Sequence, residues 1–337
     1  MENPPTARTT VSFAAVRVLI APDKLRGTYT APEAAEALAR GWRTVRTDDD
    51  VETLGLADGG EGTAEALLNA RGGSWRDAMV SDARGRPCVA RWAELPDGEA
   101  AVDVSEACGM WRVTDLEEDA LAASSFGAGM LLRQAIDSGA RRVIVGVGGT
   151  ATTDGGAGLR DALGGVPAGV ELVAALDVDN PLLGADGAAA VYGPQKGATP
   201  QDIELLERRL EALELPTADL PGAGAGGGIG AMLMALGATA RPGAQLVLDE
   251  VGFDRRLDGS ALCITAEGRI DRQTLHGKTV AAVVARCAAL AVPVAAVGGK
   301  VDIAEDELAA TLLEQGDLEL AGAELARRVT SGWLNGG

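Results

Sequence analysis

Apolar runs that end in glycine-rich segments, each carrying acidic residues or lysine, recur along this chain and constrain its fold more than any other feature. Glycine lets the backbone turn through positive φ and lets N–H groups approach a ligand closely. Carboxylates beside such turns can hold a hard cation, and lysines can meet phosphate. The six segments are residues 21–27, 57–62, 146–158, 177–198, 221–230 and 265–278. This repeated pairing is typical of a phosphoryl-transfer enzyme.

Apolar runs alternate with segments of helical spacing over much of the chain. Strands are predicted at residues 17–21, 51–56, 141–147, 261–266 and 292–297. Helices are predicted at residues 30–42, 63–70, 124–138 and 278–290. Thr30 and Glu33 form a capping-box pattern at the start of the first helix. The alternation predicts an α/β protein with a parallel sheet and with ligands bound beyond its carboxyl edge.

Two stretches break this rhythm and predict a second domain of mixed α/β structure. Residues 75–104 have the pattern of short strands without a helix between them. Residues 171–248 contain a predicted strand through 177–180, a helix at 200–213 and a glycine-rich loop that opens another helix. The predicted limits are residues 1–72, 112–160 and 255–337 for a discontinuous first domain, and residues 73–111 and 161–254 for the second.

Composition and charge exclude several classes of function. The net charge of −19 argues against nucleic acid as a partner, because no basic stripe is available to neutralise its phosphates. No window approaches the ~18 apolar residues that span a bilayer, so we expect no membrane partner. Residues 1–16 lack the features of a signal peptide, and the four cysteines show no metal-ligand spacing. We expect a cytoplasmic protein with reduced cysteines and a frayed N-terminal tail.

Two of the glycine segments offer both oxygen ligands and backbone N–H groups. Asp58 and Glu61 flank a two-glycine turn and could bind Mg²⁺ or take a proton from a substrate hydroxyl; a plain turn is the alternative. Residues 148–156 offer a phosphate cradle in which Asp154 is available to a cation, and a long surface loop is the alternative. The residues assigned to this cradle are Gly148, Gly149, Thr150, Thr152, Thr153, Gly155 and Gly156.

The segment at 177–198 adds charged candidates. Asp177 and Asp179 are predicted to share one face of a strand that ends near Asn180, because side chains alternate along a strand. Either the two carboxylates act together or one of them is a turn residue. Lys196 lies in a predicted tight turn, where it could meet a substrate carboxylate.

The last two segments are a glycine run and a charged loop. Gly226 and Gly227 lie in a loop that leads into a helix, and that helix N-terminus could hold phosphate. Close packing of helices through small residues explains the same glycines nearly as well. A predicted loop after the strand at 261–266 gathers four charged residues, Glu267, Arg269, Asp271 and Lys278. The only histidine, His276, is either incidental or in contact with ligand.

Lysine is rare in a chain that otherwise uses arginine. Of 30 basic residues only four are lysine, namely Lys24, Lys196, Lys278 and Lys300. The first three lie inside the glycine segments, which suggests sites that need a compact point charge.

Two known nucleotide-binding fingerprints do not fit. The segment that ends at Lys278 has Arg272 where a P-loop requires glycine. The loose dinucleotide pattern that begins at Gly146 is followed by residues 152–158, which do not form a good helix.

The order and content of the segments resemble the bacterial glycerate kinases of the glyoxylate and glucarate pathways. The residues that carry the resemblance are APDKLRGTYTA, ADGGEGT, GVGGTATTDGGAG, DVDNPLLG, GPQKGA, PGAGAGGG and EGRID followed by GK, over about residues 17–299. The resemblance implies a discontinuous Rossmann/flavodoxin-like domain and a second α/β domain with the active site in the cleft between them. It also implies phosphorylation of D-glycerate by ATP and Mg²⁺, usually at the 2-hydroxyl.

Three departures from the family pattern stand out. Ala266 replaces a glycine before Glu267, and Ser124 with Ser125 replaces a pair of threonines. The largest departure is between Gly165 and Glu171, where a longer family segment is reduced to VPAG, residues 166–169. If that segment shapes the cleft, the acceptor differs from glycerate.

These observations lead to a hypothesis for the mechanism. The glycine loops hold the ATP phosphates, and Mg²⁺ is held by some of Asp154, Asp177 and Glu267. Lys24 or Arg26, together with Lys196, clamps the acceptor carboxylate or the transferring phosphoryl group. Asp58 orients or deprotonates the acceptor hydroxyl. Lys278 is assigned to the cofactor, and the residues assigned to the substrate are Glu61, Asp179, Asn180, Arg269 and Asp271.

Three other functions stay open. A kinase of a related small hydroxy acid would use the same machinery on a different acceptor. A catalytically silent homologue would bind nucleotide or hydroxy acid without producing ADP. A nicotinamide oxidoreductase would bind NADH and not ATP. The protein is expected to be a monomer or a homodimer.

Overall fold

The computed structural model describes residues 14–25, 27–272, 274–275 and 278–335. In chain order, the strands of these residues are β1 (Arg17–Ile20), β2 (Asp50–Thr53), β3 (Ser74–Ser81), β4 (Pro87–Leu95), β5 (Glu99–Asp103), β6 (Arg142–Val147), β7 (Glu171–Leu176), β8 (Thr239–Pro242), β9 (Leu262–Ile270), β10 (Val294–Val301) and β11 (Thr311–Glu314).

The α-helices of the same residues lie between and around these strands. They are α1 (Ala31–Arg43), α2 (Thr63–Arg71), α3 (Ser105–Cys108), α4 (Phe126–Asp137), α5 (Ala157–Leu163), α6 (Ala188–Tyr192), α7 (Pro200–Glu211), α8 (Ala225–Ala235), α9 (Gly243–Glu250), α10 (Phe253–Leu257), α11 (Thr279–Ala289), α12 (Glu305–Leu308) and α13 (Leu318–Thr330). No helix in the described part of the chain is both long enough and apolar enough to cross a bilayer.

A five-stranded sheet is built from the two ends of the chain. Its order is β11-β10-β9-β1-β2, and all of its strand pairs are parallel. Its central strands are buried on both faces, as Leu19 and Ile264 illustrate with 0% exposure. The order is that of a flavodoxin-like sheet, in which the order of the strands reverses between β1 and β9. The crevice at the carboxyl ends of those two strands is therefore the expected ligand site.

A six-stranded mixed sheet is built from the middle of the chain. Its order is β3-β4-β5-β6-β7-β8; β3, β4 and β5 pair antiparallel, and β5 to β8 pair parallel. The predicted α/β fold class with a Rossmann/flavodoxin-like sheet and a second mixed domain is confirmed.

One of the predicted domain limits does not match the strand pairing. The segment 112–160 was grouped with β1 and β2, but its strand β6 pairs with β5 and β7. The apolar pattern of β6 suits a buried strand of either sheet, so the pattern alone does not predict which strands pair with β6. The remaining limits stay predictions.

Local signals located most elements well. Thr30 caps α1, and its side chain and that of Glu33 form the predicted capping box. Two predictions were wrong. Residues 177–180 lie beyond the end of β7 and are not a strand. The segment predicted as a loop after residue 266 continues β9 as far as Ile270, because Arg269 and Ile270 still pair with β10.

Candidate active site

A cavity of 790 Å³ opens at the carboxyl edge of the five-stranded sheet, beside the neighbouring strands β1 and β9. It receives residues from the ends of β1 and β2, from the end of β7 in the other sheet, from β9 and from the start of α11. The charged residues that line it are Asp23, Lys24, Asp58, Asp177, Glu267, Arg269, Asp271 and Lys278. All of these except Asp23 were predicted from the sequence, so the fold brings together candidates that are up to 254 positions apart in the chain.

Asp23 is the charged residue of this cavity lining that sequence reasoning missed. It follows the end of β1, is 8% exposed and lines the cavity beside Lys24. Its Oδ2 accepts a hydrogen bond of 2.6 Å from Thr279 Oγ1, and its Oδ1 accepts one of 2.6 Å from the Lys24 N–H. Burial, followed by the nearby negative charge of Asp58, raises the pKa of Asp23 to about 6. The available signal was a carboxylate three residues after a buried strand and next to a rare lysine.

Asp58 follows β2 and faces the same cavity. Its Oδ1 accepts a hydrogen bond of 3.2 Å from the Gly60 N–H, which fixes the carboxylate at the start of the two-glycine turn. Gly59 has φ +98, and a Cβ there would lie 2.3 Å from the Gly243 Cα, so only glycine fits. The turn therefore holds Asp58 at the edge of the cavity through close contact of two backbones.

Lys24 connects this cavity to a smaller one. Its ammonium donates a hydrogen bond to the backbone carbonyl of Glu61. Glu61 itself is exposed and lines the neighbouring cavity of 170 Å³ with Lys24 and Asp103. Asp103 accepts hydrogen bonds from the Gly62 and Ala64 N–H groups at the start of α2, and burial raises its pKa to about 7. The segment 57–62 thus contributes Asp58 to the large cavity and Glu61 to the small one.

Glu267 and Lys278 face each other across the other side of the cavity. Their charged atoms, Oε1 and Nζ, are 3.6 Å apart, and Glu267 Oε2 accepts a hydrogen bond of 3.0 Å from Thr274 Oγ1. Burial raises the pKa of Glu267, and the positive charge of Lys278 opposes that shift. Lys278 is 40% exposed and immediately precedes α11. Its ammonium is therefore available to an anion in the cavity.

Arg269 and Asp271 lie at the rim. The Arg269 guanidinium forms ion pairs with Asp271 at 3.3 Å and with Asp302 at 2.7 Å, and it is 59% exposed. An exposed pair of this kind contributes little to stability, so Arg269 can turn toward a ligand at small cost.

Asp154 lies outside the cavity, and its predicted availability to a cation is not supported. Its Oδ2 accepts hydrogen bonds of 2.8 Å from both the N–H and the hydroxyl of Ser125, and one of 3.3 Å from the Gly158 N–H. Its Oδ1 accepts one of 3.1 Å from the Gly156 N–H. These four bonds satisfy the carboxylate and join the start of α5 to the start of α4.

The two glycine loops assigned to phosphate pack against each other. The Gly155 N–H donates to the Gly227 carbonyl at 3.0 Å, and Thr152 Oγ1 donates to the Gly226 carbonyl at 3.3 Å. A Cβ on Gly227 would lie 1.9 Å from the Thr152 carbonyl oxygen. The alternative reading of the glycine run, close packing through small residues, therefore fits this geometry better.

The rest of the predicted cradle is largely buried. Thr150, Thr152 and Thr153 are 3%, 0% and 1% exposed, so their side chains do not face solvent. Gly148 is partly exposed and Gly149 is exposed, beside the side chain of Glu61. Only this first part of the loop is open to a ligand.

Lys196 is buried beneath the same loop and not in the large cavity. It is 6% exposed, and its ammonium donates a hydrogen bond of 2.6 Å to the Thr152 carbonyl. Burial lowers its pKa to about 8. It lines a different cavity, of 270 Å³, with Ala151 and Trp111. The prediction that Lys196 clamps the acceptor together with Lys24 does not fit this placement.

The other residues of the segment 177–198 have separate positions. Asp179 is exposed and lines a neighbouring cavity of 390 Å³, which shares Asp177 with the large one. The Asn180 amide donates to the Asp186 carbonyl at 2.8 Å, and its oxygen accepts a bond of 2.7 Å from the Tyr192 hydroxyl. The side-chain amide of Asn180 is thus hydrogen-bonded to residues of its own segment. Arg26 and His276 lie outside the described residues.

The predicted metal ligands are only partly brought together. Asp177 and Glu267 line one cavity, whereas Asp154 does not. Among the residues whose placement is described, no group of three or more His, Cys, Asp or Glu side chains could hold a metal ion.

Comparison with known proteins identifies the family. The model of the "Glycerate kinase family" matches residues 18–168 and 166–316. The glycerate kinase of Bacillus subtilis (strain 168) is 37% identical over 326 residues, which cover 85% of this chain and 85% of the relative. The glycerate 2-kinase of Escherichia coli (strain K12) is 37% identical over 303 residues, which cover 78% and 80% respectively.

A solved structure agrees with these matches. The crystal structure of a Salmonella typhimurium LT2 protein, classed provisionally as glycerate kinase 2, has a TM-score of 0.79 and 33% identity and covers 95% of this chain and 100% of that one. The two stretches matched by the family model meet at residues 166–168, within the connection described above as shortened. The chain therefore belongs to the glycerate kinase family, whose members are phosphotransferases that act on an alcohol group.

Proposed function

We propose that this protein phosphorylates D-glycerate with ATP and Mg²⁺, at the 2-hydroxyl, to give 2-phosphoglycerate. The observation that carries the proposal is the large cavity, where carboxylates from both sheets lie beside Lys24 and Lys278. Phosphoryl transfer needs positioning and neutralisation of charge more than covalent chemistry, and this set of groups can supply both. Relatives of the chain named glycerate kinase and glycerate 2-kinase support the choice of acceptor.

The charges of the cavity suggest how the two substrates are arranged. Lys278 and Arg269, on the β9 and α11 side, would meet the phosphates of ATP. Lys24, on the β1 side, would meet the glycerate carboxylate or the transferring group. Asp58 would orient the acceptor hydroxyl.

Asp177 and Glu267 are suitable residues to hold Mg²⁺. Both offer hard oxygen ligands to the same cavity from opposite sheets, and Mg²⁺ in kinases is bound by one or two carboxylates together with substrate phosphates and water. When bound, the ion neutralises negative charge on the phosphate oxygens.

The position of the shortened connection supports glycerate as the acceptor. Residues 164–170 join the end of α5 to the amino end of β7, whereas Asp177 enters the cavity just beyond the carboxyl end of that strand. Six residues of strand separate the two ends by about 20 Å. The departure from the family pattern therefore lies at the opposite end of β7 from Asp177 and from the proposed acceptor site.

The test is direct. The purified protein is incubated with ATP, Mg²⁺ and D-glycerate, ADP is followed by a coupled assay, and the product is identified by ³¹P NMR. We expect a 2-phosphoglycerate signal. The 3-phosphate would contradict the assigned hydroxyl, and ADP production from a different hydroxy acid only would contradict the acceptor. ATP binding without turnover of any acceptor in a hydroxy-acid screen would indicate a silent homologue.

A substitution tests the assigned site. Asp58→Asn keeps the size of the side chain and should lower kcat by about 100-fold, because the acceptor hydroxyl loses the carboxylate that orients it. Asp161→Asn is the matched control, because Asp161 is exposed on α5 and contacts Arg160 there. Wild-type turnover in Asp58→Asn would exclude Asp58 from the reaction.

A further inference from the structure

Asp23 lies beyond the end of β1, at the point where the strand order of the five-stranded sheet reverses. Its backbone N–H donates a hydrogen bond of 3.2 Å to the Ala266 carbonyl of β9, so the residue ties the end of β1 to β9. Its side chain is nearly buried yet reaches the large cavity. No other carboxylate of the cavity combines this burial with a backbone position fixed by the neighbouring strand in the part of the chain that is described.

Two short hydrogen bonds hold the carboxylate of Asp23 in one orientation. Thr279, the first residue of α11 and 2% exposed, donates its hydroxyl to Oδ2, and the N–H of Lys24 donates to Oδ1. An ionised carboxylate has about four lone-pair sites, so each oxygen can still accept one more proton or hydrogen bond. The protein therefore fixes the orientation of the carboxylate, and its oxygens can still accept a proton or a hydrogen bond from the cavity.

The charges around Asp23 place its titration near neutral pH. Burial and the charge of Asp58 raise its pKa to about 6, whereas Lys24 and the hydrogen bond from Thr279 lower it. The other charged groups that face the cavity are Asp177 from the end of β7, Glu267 and Arg269 from β9, Asp271 after β9, and Lys278 before α11. A base with a pKa slightly below the working pH is mostly ionised and still accepts a proton readily.

We infer that Asp23 accepts the proton of the acceptor hydroxyl during phosphoryl transfer, and that Thr279 is a positioning residue for it. The inference rests on the proposed kinase function, and it names the group that receives the hydroxyl proton in that reaction. The acceptor oxygen forms a bond to the γ-phosphorus, the bond from that phosphorus to the bridging oxygen of ADP breaks, and the hydroxyl proton passes to Asp23. Asp23 then releases the proton to solvent.

The first experiment needs no substrate. The protein is labelled with ¹³C at the carboxyl carbons of its aspartates, and the Asp23 resonance is assigned by its loss in Asp23→Asn. The chemical shift of that resonance is then followed against pH in the wild type, in Thr279→Val and in Thr279→Ser. We expect an apparent pKa well above that of an ordinary aspartate in the wild type. Thr279→Val should raise it by about one pH unit, since one hydrogen bond to the ionised form is lost, and Thr279→Ser should restore the wild-type value.

The second experiment measures turnover with the acceptor that the wild type uses. Asp23→Asn is nearly isosteric and should lower kcat by 10²- to 10⁴-fold with ATP affinity unchanged, a typical loss for a general base. The acidic limb of the kcat/KM profile should move to higher pH in Thr279→Val and stay in place in Thr279→Ser. Thermal unfolding and Asp161→Asn serve as controls for folding and for loss of one negative charge.

The two proposals fail in different ways. Absence of any turnover by the wild type would contradict the proposed kinase function. An Asp23 resonance that titrates at the ordinary aspartate pKa would overturn the present inference whatever the acceptor is. So would a folded Asp23→Asn variant with near-wild-type kcat, or a Thr279→Val variant whose pH profile does not move.

Discussion

At the scale of single residues, the four lysines show that surroundings decide what a charge does. Lys24 and Lys278 line the large cavity, where a ligand can reach them. Lys300 is 60% exposed and forms an ion pair of 3.2 Å with Asp302. Lys196 is buried and its ammonium donates to a backbone carbonyl. The rarity of lysine marks all four positions equally, and only burial and neighbours separate a lysine that faces the cavity from one that is bonded inside the protein.

The buried Lys196 should make stability depend on alkaline pH. Burial lowers its pKa from 10.5 to about 8. Between these values the unfolded chain binds the proton and the folded protein does not, so the free energy of unfolding should rise as pH increases from about 8 to 10.5. The full difference corresponds to about 3 kcal/mol.

The comparison with Lys196→Met isolates this contribution. Denaturant unfolding of both proteins between pH 7.5 and 10.5 should show the wild type gaining stability relative to the variant across that window. Parallel curves would mean that Lys196 titrates at its ordinary pKa in the folded protein.

At the scale of elements, the glycine loops act as packing surfaces between helices. The loop before α5 and the loop at the start of α8 contact each other through backbone atoms, with Gly226, Gly227 and Gly228 all at positive φ. Backbones approach this closely only where Cβ atoms are absent. The loops thereby hold α5 and α8 against the six-stranded sheet.

Gly227→Ala should disrupt this contact. The new Cβ would lie 1.9 Å from the Thr152 carbonyl oxygen in a residue with φ +70. We expect a loss of about 3 kcal/mol or more in the free energy of unfolding. Gly164→Ala is the matched control, because Gly164 has φ +67 and no atom within 4 Å of its Cβ position; it should lose only about 1 kcal/mol. Equal losses of stability in the two variants would show that backbone strain at positive φ, and not the close contact with Thr152, determines the effect of Gly227→Ala.

Asp154 should contribute to the free energy of unfolding and not to the binding of Mg²⁺. Asp154→Ala removes four hydrogen bonds at the starts of α4 and α5 and should lower the free energy of unfolding by about 2 kcal/mol. Ser125→Ala, which removes one of these bonds, should lose less. The Mg²⁺ concentration for half-maximal activity should be unchanged in Asp154→Ala; a large increase would restore Asp154 as a metal ligand.

At the scale of the whole molecule, the site forms where the carboxyl ends of strands from two sheets face one cavity. The five-stranded sheet supplies Asp23 and Glu267, and the six-stranded sheet supplies Asp177. Connections at the amino ends of these strands lie at the opposite edge of the sheet from the cavity. Parallel α/β sheets in general bind ligands at the carboxyl ends of their strands. Length changes at the amino ends should be tolerated.

An insertion can test this separation. Six glycine and serine residues placed between Gly165 and Val166 should leave kcat and KM within about two-fold and cost less than about 1 kcal/mol of stability. The same insert between Gln315 and Gly316, at the cavity, should raise KM or lower kcat by about ten-fold or more, because it displaces the cavity wall. Equal kinetic effects would place the shortened connection near the substrate.

The sequence by itself determined the fold class, the family and most of the cavity. The alternation of strands and helices predicted α/β structure, and the segment order predicted the glycerate kinase family, which the comparisons confirm. Lys24, Asp58, Asp177, Glu267 and Lys278 were candidates because they lie in glycine-rich segments beside predicted strands, and ligands bind beyond the carboxyl ends of the strands in this class of fold. These signals are local and can be read from adjacent residues.

Only the tertiary structure decided which candidates face the cavity. Asp23 is held by Thr279, 256 positions away, and β6 pairs with β5 and β7 although its pattern suits either sheet. Asp154 and Lys196 do not face the large cavity. Ser125, 29 positions away, donates two hydrogen bonds to Asp154, and the buried Lys196 donates one to the carbonyl of Thr152, 44 positions away. Hydrogen-bond partners and the exposure of individual polar side chains depend on contacts between distant segments, and periodicity within a segment does not identify those contacts.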